Sequence, residues 1–159
     1  MAAKKNSEKS ERLIASNKRA YHDFFIDETF EAGVVLTGTE IKSIRFSGLS
    51  LKEAYVRVDG NEAWILGVHI KPYAQGSYNN VDPDRARKLL LHKRQIRYLF
   101  EHVRQKGNTI VPTRVYYERG RVKIEIGVAR GKHTYDKRAS IAKRDADRDL
   151  ERSLKARSQ

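Results

Sequence analysis

Few residues in this chain have the types and spacing that chemistry requires, and most of those fail on spacing. Gly127-Val-Ala-Arg-Gly-Lys-His133 has the outline of a phosphate loop but is one residue short, and His133 stands where the magnesium-binding hydroxyl belongs. His22, His69, His92, His102 and His133 never pair at i, i+4 with a carboxylate between them, the geometry that puts two ligands on one helix face. Asp145/Asp149 and Asp147/Glu151 are carboxylate pairs at helical spacing, but they lie among arginines in a segment too polar to build a pocket that shifts a pKa. The chain has no Cys, which removes disulfides, thiolate metal sites, iron–sulfur clusters and cysteine nucleophiles together. No catalytic residue, metal site, cofactor or small-molecule substrate is expected, and therefore no enzyme.

What remains is positive charge. The 159 residues carry 33 Lys and Arg against 20 Asp and Glu, a net +13, which points to a polyanionic partner. The cations recur along the chain. Lys4, Lys5, Lys9, Arg12, Lys18 and Arg19 fall in the first twenty residues, and Lys42 and Arg45 share a helix face. A run from Arg85 to Arg97 includes Lys93 and Arg94, and Lys143, Arg144, Arg148 and Arg152 lie near the end. One such run is what the solvated face of any helix looks like. The repetition of one sign in every segment favours phosphate neutralisation. Tyr21, Tyr55, Tyr73, Tyr78 and Tyr135 give RNA a second handle, since a base stacked on an aromatic ring contributes about 1–3 kcal/mol. Tyr55 is the strongest of these, being on the outward register of its strand.

These residues need elements to position them. Residues 1–20 read as a basic arm too poor in large apolar groups to pack, with room for one short helix. Residues 21–129 read as the folded body. A long or kinked strand runs from Tyr21 to Leu36, and a short amphipathic helix from Thr39 to Ser47 stops at Gly48. Ala54, Val56 and Val58 alternate up to an Asp59-Gly60-Asn61 turn, after which Trp64, Leu66, Val68 and Ile70 continue the hairpin. A surface loop from Lys71 to Pro83, a strand over Arg87–Leu91 and a helix from about Lys93 to Lys106 follow. A second hairpin turns at Arg119-Gly120 and ends in the alternating Val122, Ile124, Ile126 and Val128. About six strands with two short helices and no βαβ rhythm predict a mainly β fold. Its leading form is an OB-like antiparallel β-barrel with flanking short helices, and its rival is an open α+β sheet.

Residues 130–159 read as a basic tail with ten basic and five acidic residues. As a helix it would align Ala142, Ala146, Leu150 and Leu154 beside Arg144, Arg148 and Arg152. From Ala139 to Arg157 it would reach about 28 Å at 1.5 Å per residue. The apolar line is too thin for a lone helix, so the tail is expected to be disordered until a surface supplies partners. Residues 1–13 lack the apolar run of a secretory signal, and no stretch approaches the ~20 apolar residues of a membrane span. A cytoplasmic protein without membrane attachment is expected.

Asn17-Lys-Arg-Ala20, Phe30-Glu-Ala-Gly33, Gly38-Thr-Glu-Ile-Lys-Ser-Ile-Arg45, Arg87-Lys-Leu-Leu-Leu91 and Gly127-Val-Ala-Arg-Gly-Lys132 with Asp136-Lys-Arg138 together resemble the SsrA-binding protein family, SmpB. The resemblance runs from about Ser16 to the C-terminus and rests on the joint order and spacing of short blocks. It implies a monomeric bacterial partner of transfer-messenger RNA (tmRNA) in trans-translation, the rescue of stalled ribosomes. The OB-like barrel would hold the tRNA-like domain in place of an anticodon arm. The tail would enter the small-subunit decoding centre and become helical in the empty mRNA channel.

By motif position, the resemblance implies RNA binding at Asn17, Glu31 and Leu91. It implies a ribosome-engaging tail that starts with Gly131, Lys132, Tyr135, Asp136, Lys137 and Arg138, with His133 where a further Lys is common. With the cations and Tyr55, the expected RNA-binding set is Asn17, Lys18, Arg19, Glu31, Lys42, Arg45, Tyr55, Leu91, Lys93 and Arg94. A carboxylate is unusual on an RNA surface; it can accept from base amino groups or orient a neighbouring Lys or Arg, and for Glu31 the second is expected. The alternative is a general ribosome-assembly or initiation factor on an OB fold.

Overall fold

The computed structural model describes residues 11–76, 80–105, 107–132 and 134–157, the last segment with side chains from 138 onward. Tyr78 and His133 lie outside the described residues, as do Lys4, Lys5 and Lys9. The described residues form seven strands and four helices in the order β1 (Glu11–Ser16), α1 (Lys18–Asp23), β2 (Phe24–Val34), α2 (Gly38–Ser47), β3 (Tyr55–Asp59), β4 (Glu62–Leu66), β5 (Arg87–Leu90), α3 (Lys93–Val103), β6 (Asn108–Glu118), β7 (Arg121–Gly131) and α4 (Thr134–Arg157). The strands form one antiparallel sheet in the order β1-β6-β7-β2-β5-β4-β3. Its hydrogen-bonded ladder is open, but the sheet curls until β3 packs against β6, and α3 lies across both. The mainly β expectation holds in this half-closed form, with one strand more than counted from sequence.

The extra strand is β1. Residues 11–20 were expected in an unpacked arm, and instead Glu11–Ser16 pairs with β6 from Glu118 to Arg114, followed directly by α1. Only Leu13-Ile14-Ala15 hints at this, three apolar residues in a charged window. The decisive partner, the edge of β6, lies a hundred residues away. At the other end β7 runs two residues past the expected limit at Ala129, because Arg130 and Gly131 pair with Phe25 and Phe24.

The β6–β7 hairpin has a two-residue turn in which Arg119 (φ 50°) and Gly120 (φ 75°) are both left-handed, the backbone whose twist matches that of the strands. Pro112 cannot donate to a ladder, yet it sits in β6 between two neighbours. The register shift between Pro112 and Arg114 accommodates it. Gly67 permits a close crossing, since a Cβ there would stand 2.2 Å from the Glu53 carbonyl oxygen. Ile65, Leu89, Leu99, Ile110, Val115, Ile124 and Ile126 fill the curl of the sheet. Full burial of side chains of this size contributes about 1.5–3 kcal/mol each.

A polar network ties α2 to this body. Thr37 and Glu40 form a capping box at the start of α2. Glu40 also accepts from Arg85 and, at 2.6 Å, from Nε of Arg87. Arg87 is 1% exposed and donates further to the carbonyls of Val68 (2.9 Å), Pro83 (3.0 Å) and Arg85 (3.1 Å). Burial pushes the Glu40 carboxyl up, but hydrogen bonds from Arg85, the Thr37 backbone and Arg87 outweigh it and hold the group below the usual glutamate range. Arg87, counted from sequence with the outward cations, is therefore internal, and Arg85 is half-buried against Glu40.

Candidate nucleic-acid interface

Three of the expected residues meet in one cleft. β2 pairs with β5 through Gly33↔Leu90 and with β7 through Gly33↔Lys123, so Glu31 of β2 comes close to the β5–α3 junction. The resulting cleft, about 550 Å³, is lined by Glu31, Leu91 and Lys93 together with Lys88, His92 and Lys123. α3 begins here, with the His92 backbone N–H donating to Gln95 Oε1 at 3.1 Å. Its first turn holds Lys93 and Arg94 and no acid, which sets two cations against the positive end of the helix dipole. An anion in the cleft relieves that repulsion. Lys88 and Lys123 were not singled out from sequence. Lys123 lies on the polar register of β7, and only the β2–β7 pairing, which sets it opposite Gly33, brings it into one cleft with Glu31.

Among the described residues, Glu31 holds no Lys or Arg, contrary to expectation. It accepts a hydrogen bond from the hydroxyl of Tyr116, which reaches across β7 from β6. Arg114 lies over the Tyr116 ring at 4.7 Å and bonds Glu125 (3.0 Å) and Glu11 (3.4 Å). Burial, then the bond to Glu31, pushes the Tyr116 phenol well up, so it remains a neutral donor at physiological pH. No sequence signal links Glu31 to Tyr116, which are 85 positions apart.

A second cleft, about 570 Å³, is lined by residues 15–19 and 49–52, which include Asn17, Lys18, Arg19 and Lys52. Asn17 is buried at its base, and its polar groups engage protein. The backbone N–H donates to Thr113 O (2.8 Å), Nδ2 donates to Pro112 O (2.9 Å) and Leu51 O (3.4 Å), and Oδ1 caps α1 by accepting from Ala20 N (3.2 Å). Arg19 pairs with Asp23 and Glu53 at the surface, 61% exposed, where such pairs are weak. Lys42, Arg45, Tyr55 and Arg94 are all exposed and line neither cleft. Tyr55 faces outward from β3 while Val56 and Val58 face in. Among the described residues, no three His, Asp or Glu converge as metal ligands, and no helix is long and apolar enough to cross a membrane.

At the root of the tail, Lys132 donates to Tyr21 O (3.0 Å) and Ser140 Oγ (2.8 Å) and lies over the Phe25 ring. Gly131 ends β7. α4 then exposes Arg138, Lys143, Arg144, Arg148 and Arg152, along with Leu150 and Leu154. Arg152 has an acidic neighbour, Asp149, at 3.8 Å. The backbone of Tyr135, Asp136 and Lys137 belongs to the first turns of α4, and their side chains lie outside the described residues.

A family model described as "SmpB protein" matches residues 14–156. The chain belongs to the SmpB family. Among curated relatives, the SsrA-binding protein of Lacticaseibacillus casei (strain BL23) is 52% identical over 155 residues, covering 98% of this chain and 99% of that protein. The SsrA-binding protein of Roseiflexus sp. (strain RS-1) is 54% identical, covering 93% and 94%. A solved structure described as "tmRNA-SmpB: a journey to the center of the bacterial ribosome" contains a chain that is 46% identical. It superposes with a TM-score of 0.65 over 77% of this chain and 86% of that one. The chain thus spans nearly the whole length of its SmpB relatives, and the curled β body and the start of α4 both fall within the matched range.

Proposed function

We infer that this protein is an RNA-binding adaptor that binds the tRNA-like domain of tmRNA and carries it to stalled ribosomes for trans-translation. The observation that carries this reading is the SmpB family match across residues 14–156, joined to the relatives' names and the tmRNA–SmpB structure. The geometry supplies the physics. Lys93 and Lys123 in the first cleft and Lys18 and Lys52 in the second offer cations to a phosphate backbone, whereas Lys88 pairs with Glu62 and Arg19 with Asp23 and Glu53. Glu31, held by Tyr116, can accept from base amino groups. Leu91 gives the first cleft an apolar wall. Asn17 acts by fixing the floor of the second.

The body, residues 21–129 together with β1 and α1, grips the RNA and occupies the place of an anticodon arm. Residues 130–159 act on the ribosome, where Gly131, Lys132, Tyr135, Asp136, Lys137 and Arg138 make the first contacts. Lys143, Arg144, Arg148 and Arg152 follow the phosphates of the empty mRNA channel. The adaptor acts in the cytoplasm as a monomer and performs no chemistry; the ribosome does.

Sequencing the RNA that copurifies with the full chain tests the reading. One dominant tRNA-like species is expected. Bulk ribosomal RNA without that species would replace the adaptor by a general ribosome factor.

A further inference from the structure

Outside both clefts, α2 presents an aromatic and cationic surface. Phe46 is 73% exposed, and its ring stacks with that of Tyr73 at 6.1 Å between centroids and 17° between planes. Lys42 Nζ lies over the Tyr73 ring at 5.8 Å, and Arg45 is exposed beside Phe46 in sequence, its side chain in no hydrogen bond or ion pair among the described residues. Lone exposed apolar side chains are ordinary on protein surfaces. A stacked pair carrying a cation is a different object, with a flat π-face and a positive charge beside it.

The pair is also held in place. Asn80 grips the Tyr73 backbone twice, accepting from its N–H and donating to its carbonyl, both at 2.9 Å. The Ser43 hydroxyl bonds Lys71 O, docking this loop on α2. The Glu40–Arg87 network in turn fixes α2 to the body. The only acid on α2, Glu40, is consumed in that network, so nothing on the helix cancels Lys42 and Arg45.

We propose that Phe46 and Tyr73, flanked by Lys42 and Arg45, form a stacking platform for an unpaired nucleobase and its phosphate. This deepens the RNA-adaptor reading and rests on it. Charge complementarity selects RNA over an apolar protein segment, because two unneutralised cations at the rim would lose hydration against a hydrophobic partner while a phosphate replaces it. The base belongs either to tmRNA or to the ribosome.

The test measures affinities of the full chain for the tRNA-like domain alone and for 30S subunits, each over a salt series. Binding of the parent chain to the tRNA-like domain checks the adaptor reading independently of the platform. Phe46→Leu, which keeps apolar bulk and removes the ring, is expected to weaken one of the two arms about fivefold or more with an unchanged salt slope. Phe46→Trp is expected to retain parental affinity. Lys42→Ala is expected to lower the salt slope in the same arm by about one. The affected arm names the source of the base. The platform is overturned if Phe46→Leu stays within twofold of the parent in both arms. It is also overturned if Phe46→Leu binds as the parent does while Phe46→Ser does not, which would make the patch an apolar contact.

Discussion

Replacing Arg87 by Met tests whether the buried charge network, rather than the sheet alone, holds α2 and its cations in position. Arg87 is 1% exposed and makes four hydrogen bonds, one to the Glu40 carboxylate and three to the carbonyls of Val68, Pro83 and Arg85. Arg87→Met keeps the stem volume and leaves Glu40 with Arg85 as its sole cation. Removing one partner of a buried pair costs about 3–5 kcal/mol, because the other charge stays buried. That is a large share of the ~5–15 kcal/mol a domain holds. At about 2–4 °C per kcal/mol for a chain of this size, the midpoint should fall by roughly 6–20 °C.

Urea and thermal unfolding, followed by circular dichroism, read this directly. The acid limb gives a second reading. Glu40 is held below its unfolded value, so its contribution is present above the unfolded glutamate pKa and is lost as pH falls through the folded one. Glu40→Gln should remove that share of the acid sensitivity. The double variant Arg87→Met/Glu40→Gln should lose less than the two single losses added, since no buried carboxylate is left with Arg85 alone to compensate it. A loss below about 1 kcal/mol for Arg87→Met, or strict additivity in the cycle, would refute the reasoning.

Asn17→Ala should destabilise by about 1–3 kcal/mol, because the α1 cap and the bond to the Pro112 carbonyl go together; lost RNA affinity at unchanged stability would instead place the amide on the RNA. Glu31→Ala should weaken binding of the tRNA-like domain about tenfold or more at fixed salt while leaving the melting midpoint within a few degrees, and Tyr116→Phe should weaken it less, in the same direction. Equal affinity for all three proteins would remove Glu31 from the interface. Truncation before Thr134, which spares the β7 pairing with Phe24 and Phe25, should keep RNA affinity within about twofold and abolish ribosome rescue in a reconstituted translation assay. Comparable loss of both would reject the division between body and tail.

Local pattern reads well where one element decides its own fate. The period-two alternation of Val122 to Val128 is β7, the Asp59-Gly60-Asn61 turn closes β3 onto β4, and Ile41 with Ile44 before Gly48 is α2. It fails where a distant strand decides. β1 exists because β6 offers an edge, and Arg87 turns inward because Glu40, 47 residues earlier, meets it. The site divides in the same way. Lys93, Leu91 and Glu31 were named from sequence, but their shared cleft is a consequence of the β2–β5 pairing. Tyr116 carries no local mark of its hydroxyl's destination. Phe46 carries one, an aromatic ring between Arg45 and a polar turn, but its partner Tyr73 lies in a loop without periodicity.

The net charge of +13 becomes useful only because the acids are spent unevenly. Glu40 is shared by Arg85 and Arg87, Asp27 holds Arg130, Glu125 and Glu11 hold Arg114, and Glu62 holds Lys88. These carboxylates serve strand-to-strand or helix-to-strand joints. The side chains of Arg45, Lys93, Arg94, Lys143, Arg144 and Arg148 form no ion pair or hydrogen bond among the described residues. The pairs on the buried Glu40 carboxylate are partly shielded from salt, whereas the surface pairs and the exposed cations are screened within about 8–10 Å. Raising ionic strength should therefore strip RNA from the protein long before it loosens the fold. Parallel melting and binding curves over one salt series separate the two, and a midpoint that falls in step with affinity would show that the outward cations are holding the fold as well.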